Sequence, residues 1–197
     1  MNLINRAKNI LLSPNTEWDV IRSETATVSS LFTQYAIILA AIPAICGFIG
    51  FYLIGVSFGF GFFRLDFGIA LTWAILTYIL NLVSVYILGW IIDALAPSFG
   101  STKDLTASLK VGVYSYTAAW VAGIFHILPS LSFLAAIAAI YSLVLLYIGL
   151  KKVKVVPDDK MVGYYVVTIV VALVLYFVIG AIIGAVVFSS YYTSGTL

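Results

Sequence analysis

Beyond residue 30 polar side chains are so sparse that they act as breaks between apolar runs. A helix needs roughly 20 mostly apolar residues to cross about 30 Å of hydrocarbon. On that measure the chain predicts five membrane spans, at 31–56, 67–96, 109–128, 131–150 and 162–188. The separators are 57–66, 97–108, Pro129-Ser130 and 151–161. Barrel strands would be about ten residues long with alternating polarity, a pattern these runs lack. Pro129 removes a backbone donor and disfavours helix in the residue before it, so the third and fourth runs read as a tight hairpin. A hinge between two broken half-helices is the competing reading. Pro43 predicts a kink within the first span.

Residues 1–30 follow a different pattern. Leu3, Ile4, Ala7, Ile10 and Leu11 recur at helical spacing, with Asn2, Asn5, Arg6 and Asn9 largely opposite. Ser13-Pro14 reads as the N-cap and first residue of a second short helix, whose apolar face is Trp18 and Ile21. These helices lie in the membrane interface or cap the mouth of the bundle. Residues 1–30 hold no unbroken apolar core of a cleavable signal, so the run from Leu31 acts as an uncleaved anchor. The predicted fold is thus an all-α membrane protein: a five-helix transmembrane bundle (31–188) behind short amphipathic interfacial helices (1–30), with a short tail (189–197).

Composition agrees, since hydrophobic residues are 63% of the chain and charged residues 9%, against about 45–50% and roughly 25% in soluble domains. Charge placement adds an orientation. Nine of the ten Lys/Arg fall on one side of the five-span layout, in 1–30, around Lys103 and Lys110, and in 151–160; Arg64 alone falls opposite. Basic residues favour the cytoplasm, which predicts an inner N-terminus and an external C-terminus in the cell membrane. A net charge of +2 does not suggest a nucleic-acid partner. The lone Cys46 excludes a disulfide framework and any multi-thiolate metal site.

Helices in lipid associate through small residues and polar contacts. Ala36, Ala40 and Ala44 make one small-residue stripe, Ala119 and Gly123 another, and Gly180 with Gly184 a GxxxG motif suited to packing within the chain or to a homo-oligomer. The loop at 55–63 is rich in glycine and phenylalanine and has no nucleotide-binding setting. Ser101–Asp104 reads as a capping box ahead of the third helix.

Ionisable and polar groups in apolar runs are candidate sites. Asp93, near the end of the second span, either pairs with Lys110 of the next or meets interfacial water. Asn81 sits near the centre of the second span and is expected to bond to another helix, and His126 falls near the outer end of the third. Tyr35, Trp90, Tyr147, Tyr164, Tyr165, Tyr191 and Tyr192 lie near span ends, as interfacial aromatic belts do. Motifs for metalloproteases, nucleotide-binding loops, serine hydrolases and intramembrane aspartic proteases are missing. No catalytic residue, metal site or cofactor is therefore predicted. Glu17, Asp19, Glu24, Asp158 and Asp159 have no spacing that demands a cation.

Several stretches resemble prokaryotic Yip1-domain membrane proteins: Ser13-Pro14 through Trp18, Ile21 and Glu24; Leu95-Ala-Pro-Ser-Phe99-Gly100; Tyr114-Ser-Tyr116; Ile127-Leu-Pro129; and Tyr141 through Gly149. They occur in the family's order and imply its five-span layout. The family's usual proline after Y-x-x-T is missing, because Thr117 is followed by Ala118-Ala119. The long N-terminal region and DLYGP motif of eukaryotic members are also absent, so the small-GTPase binding suggested for those members is not carried over. The resemblance supplies no catalytic residues. It implies a non-enzymatic bundle that organises membrane lipids or partner proteins. The alternative is a small channel or transporter with a polar path near Asp93, Asn81 and Lys110.

Overall fold

The computed structural model describes residues 2–58 and 61–193. Apart from one short β-hairpin, the described elements are helical. Four helical stretches are long and apolar enough to cross a membrane: Val28–Ile54, Phe67–Phe99, Pro129–Val153 and Asp158–Ser190. Within them lie α3 (Val28–Leu31), α4 (Ile37–Ile49), α5 (Phe67–Leu95), α8 (Ser132–Val153) and α9 (Asp158–Thr193). Two wider, π-type turns, Phe32–Ala36 and Gly50–Ile54, flank α4. Helix α9 runs through positions where a tail was expected, and residues 194–197 of that tail lie outside the described residues.

The predicted third span is not one long helix. Residues 109–128 are divided among α6 (Leu105–Ser115), α7 (Thr117–Ala122) and a 3-10 segment, Gly123–Ile127. The break at Tyr116 needs no proline. Ser115 Oγ donates to the Val111 carbonyl (2.6 Å) and Thr117 Oγ1 to the Tyr114 carbonyl (2.7 Å). Hydroxyls that bond back to the preceding turn bend helices, and the Tyr116 amide shifts to the Val113 carbonyl. The broken run still leads from one end of the molecule to the other. It starts where the Asp104 amide bonds Asp93 (2.7 Å) and finishes with the His126 carbonyl against Gly50.

Helix α6 is capped by Asp104, whose carboxylate accepts from the Ala107 amide. The expected capping box at Ser101 does not form, because Ser101 Oγ donates to the Lys154 carbonyl and the helix begins only at Leu105, beyond a 3-10 turn, Ala96–Phe99, and a left-handed Gly100 (φ 74°). The 57–66 loop contains the hairpin, in which β1 (Val56–Phe58) pairs antiparallel with β2 (Gly61–Phe63). Gly55 enters it at φ 78°, a left-handed conformation that glycine adopts without a steric penalty.

Small residues set the close approaches. Ala36, Ala40 and Ala44 are buried, and a Cβ at Gly123 would lie 2.6 Å from Pro43 Cβ. Proline and glycine thus fit together where α4 meets the broken run.

The N-terminal segment is a helical hairpin packed on the bundle. Asn2 caps α1 (Leu3–Leu12), and Pro14 opens α2 (Pro14–Ser23). Trp18 and Ile21 are fully buried. Helix α2 follows α8: the Leu11 carbonyl accepts from Tyr141 Oη (2.8 Å), Trp18 covers Gly149, and Asp19 pairs with Lys152 (2.5 Å). At 1.5 Å per residue the hairpin's turn sits about 16 Å along α8 from Lys152. Its outward face, with Asn5, Lys8, Asn15, Thr16, Asp19 and Arg22, is exposed.

Candidate functional site

The charged residues of the hairpin do not all face outward. Arg6 was expected on the polar face of α1, yet its side chain is 5% exposed and donates to Glu17 Oε1 (2.5 Å) and to Glu24. Asn9 Nδ2 holds the second Glu17 oxygen (3.1 Å). The guanidinium also lies 5.5 Å above the Tyr114 ring, which suits its delocalised charge. A buried charge survives only when paired and hydrogen-bonded, and this set meets that need from within the chain. The sequence holds the signal: Leu3, Arg6 and Ile10 share the i, i+3, i+7 spacing of one helical face, and Glu17, Ile21 and Glu24 the i, i+4, i+7 spacing of another.

Asp93 and Lys110 do not pair; no ion pair between them occurs among the described residues. Lys110 reaches the hairpin instead, where Nζ donates to the Ile21 carbonyl (2.8 Å) and the Glu24 carbonyl. Those acceptors end α2, where a cation also complements the helix dipole. Asp93 accepts from the Asp104 amide and from Ser108 Oγ (3.1 Å), and faces Lys154 at 3.6 Å. Depth along the helices predicts Asp93 beside Lys110, but rotation about the helix axes separates them.

Lys154 extends this second cluster. Its side chain is 1% exposed and donates to the Thr102 carbonyl (2.8 Å), while its own carbonyl accepts from Ser101 Oγ (2.5 Å). Burial pulls the Lys154 ammonium below its ordinary value, partly offset by Asp93 and Asp104. The next residue, Val155, takes φ 49°, an outlier for a β-branched side chain.

The remaining candidates are scattered. Asn81 bonds the Thr77 carbonyl of its own helix (2.9 Å) rather than another helix. His126 contacts Ser132 Oγ, at the start of α8, at 3.1 Å. Gly180 and Gly184 lie on exposed α9 surface, where a Cβ would meet nothing within 4 Å. Tyr35 and Tyr164 are buried rather than interfacial; Tyr35 Oη meets Thr117 Oγ1 at 2.8 Å, and Tyr164 donates to the Ile92 carbonyl. Trp90 and Tyr147 are exposed, and the side chains of Tyr191 and Tyr192 lie outside the described residues. No His/Cys/Asp/Glu group among the described residues is arranged to hold a metal ion.

Among the described residues, recesses open beside the hairpin and beside Lys154. One, of about 540 Å³, lies between α1, the 23–26 connection and the start of the first span. The other, of about 290 Å³, lies between Gly100–Asp104 and Lys154. Neither wall includes Asn81, Asp93, Lys110 or His126.

A hairpin-capped bundle of apolar helices defines a multi-pass membrane protein, and comparison with known proteins gives its kinship. Residues 8–191 match the Yip1 domain. The chain is 30% identical over 141 residues to the inner membrane protein YohC of Escherichia coli K12, covering 70% of this chain and 72% of that protein. The same figures hold for YohC of Escherichia coli O6:H1. No solved structure matches the chain. This protein belongs to the Yip1-domain family.

Proposed function

We propose that this protein is a non-enzymatic five-span bundle of the cell membrane, N-terminus in the cytoplasm and C-terminus outside, which organises lipids or partner proteins around it. The broken α6–α7 run is the fifth traverse, since it joins the two ends of the bundle. The end bearing Lys151, Lys152 and Lys154 faces the cytoplasm, in keeping with positive-inside bias and with the inner-membrane relatives. Helices α1 and α2 then form a cytoplasmic cap whose polar face meets water and headgroups.

The observation that carries this reading is that Arg6, Glu17, Asp93, Lys110 and Lys154 are each bound by groups of the same chain. A conduction path needs polar groups that face a shared wet lumen, whereas Asn81, Asp93 and Lys110 face three different surroundings. The competing channel reading is tested by reconstituting the protein in vesicles loaded with proton- and potassium-sensitive dyes. The expected result is leakage equal to empty vesicles. Flux that disappears in a folded Asp93→Ala variant contradicts the proposal.

The partner surface we infer on the bundle is the exposed half of α9 around Gly180 and Gly184. Of the most apolar stretch of that helix only 6% is buried, against 28–39% in the other three long spans. A second copy of this chain is the occupant best matched to a GxxxG face.

A further inference from the structure

We propose that the recess of about 540 Å³ beside α1 binds the headgroup of an aminophospholipid, a lipid carrying a primary ammonium next to its phosphate, through Glu24, Thr25 and Gln34. The inference rests on the proposed cytoplasmic placement of this end and gives the lipid contact a chemical class. The volume falls within the roughly 300–1,000 Å³ usual for small-molecule sites.

Depth comes first. Leu31 and Tyr35 in the wall bracket Phe32, whose ring meets that of Tyr86 at 6.0 Å. Tyr86 and Trp90 are 43% and 56% exposed on the flank of α5. Exposed tyrosine and tryptophan mark the headgroup level of a bilayer. The recess therefore opens at the height of lipid phosphates and amines.

Charge selects the headgroup. Arg6 is shared by Glu17 and Glu24, so its single positive charge answers two carboxylates. Lys110, the other nearby cation, also acts on Glu24 from a distance, but its ammonium is tied to the Ile21 and Glu24 carbonyls and is not part of the wall. Glu24 is the open member of the pair, with a side chain 39% exposed and only Oε2 bound to Arg6. Its second oxygen is placed to accept from an ammonium. Thr25 and Gln34 form no side-chain hydrogen bond among the described residues and supply donors for a phosphate. A phosphate without an ammonium brings a negative charge to a carboxylate whose partner cation is already shared. A quaternary ammonium has no N–H to donate.

The test uses the full-length protein, purified and delipidated, titrated with phosphatidylethanolamine, phosphatidylglycerol or phosphatidylcholine and read by native mass spectrometry. Phosphatidylethanolamine should bind at least tenfold more tightly than the other two. Thr25→Trp, which fills the recess, should weaken it at least fivefold, and Glu24→Gln should erase the preference over phosphatidylglycerol. Equal retention of all three lipids overturns the inference, as does unchanged binding in a folded Thr25→Trp protein. Where that variant fails to fold, Gln34→Leu decides, because Gln34 is exposed and bears no part of the ion cluster. Solute flux through reconstituted vesicles contradicts the non-transport reading alone, whereas loss of lipid preference contradicts this inference alone.

Discussion

Trp18 and Gly149 meet with no space between them: a Cβ built at residue 149 lies 2.7 Å from Trp18 Cη2. This contact seats the N-terminal hairpin on α8. Gly149→Leu should push the hairpin off the bundle, with a cost comparable to the about 3–5 kcal/mol of losing a buried tryptophan. Hydrogen exchange across residues 3–23 measures it, and exchange there should rise far more than in α5.

Arg6 is the centre of the buried ion cluster. Arg6→Met leaves Glu17 charged and 5% exposed, which should destabilise the protein by about 3–5 kcal/mol, the usual result of orphaning a buried charge. Adding Glu17→Leu should recover most of the loss, because Glu24 is open enough to be solvated. Thermal melts of the two variants in detergent provide the comparison.

The Asp93 partnership is decided by double-mutant cycles. Asp93→Asn with Lys154→Met should show a coupling of about 0.5–3 kcal/mol, as groups in one network do. Asp93→Asn with Lys110→Met should be additive, since Lys110 is bound to the Ile21 and Glu24 carbonyls.

Two glycines should respond in opposite ways. Gly123→Ala adds a methyl group 2.6 Å from Pro43 Cβ and should cost about 1–3 kcal/mol through overpacking. Gly180→Leu enters open space, so it should leave the monomer's melting temperature unchanged. Its effect should appear in cross-linking of the protein in vesicles, as a loss of dimer.

Val155 sits in the left-handed region at φ 49°. A left-handed conformation costs an L-residue roughly 1–2 kcal/mol, while glycine gives back roughly 0.5–1 kcal/mol in chain entropy. Val155→Gly should therefore raise stability by about 0.5–1 kcal/mol, seen as a higher melting temperature.

Apolar run length made the long helices legible, because hydrocarbon thickness leaves few ways to arrange them. Trp18, Ile21 and Pro14 are legible for a related reason: periodicity and the fit of proline to a first helical turn are local, although Ser13 forms no side-chain cap. Hydropathy reads the third run as one helix because it does not register that Ser115 and Thr117 bond to their own backbone. The site is not legible where rotation about a helix axis decides the contacts. Residue type puts Arg6 on the polar face, although its spacing from Leu3 and Ile10 places it inward. Depth alone matches Asp93 with Lys110, and only three-dimensional packing gives Asp93 to Lys154.

The account depends most on an odd number of traverses, with the α6–α7 run as one of them. In a Cys46→Ser background, single cysteines at Asn5 and at Ser194 can be labelled with a membrane-impermeant thiol reagent in sealed inside-out and right-side-out vesicles. The account predicts that Asn5→Cys is labelled only from the cytoplasmic face and Ser194→Cys only from the opposite face. Labelling of both from one face would contradict it.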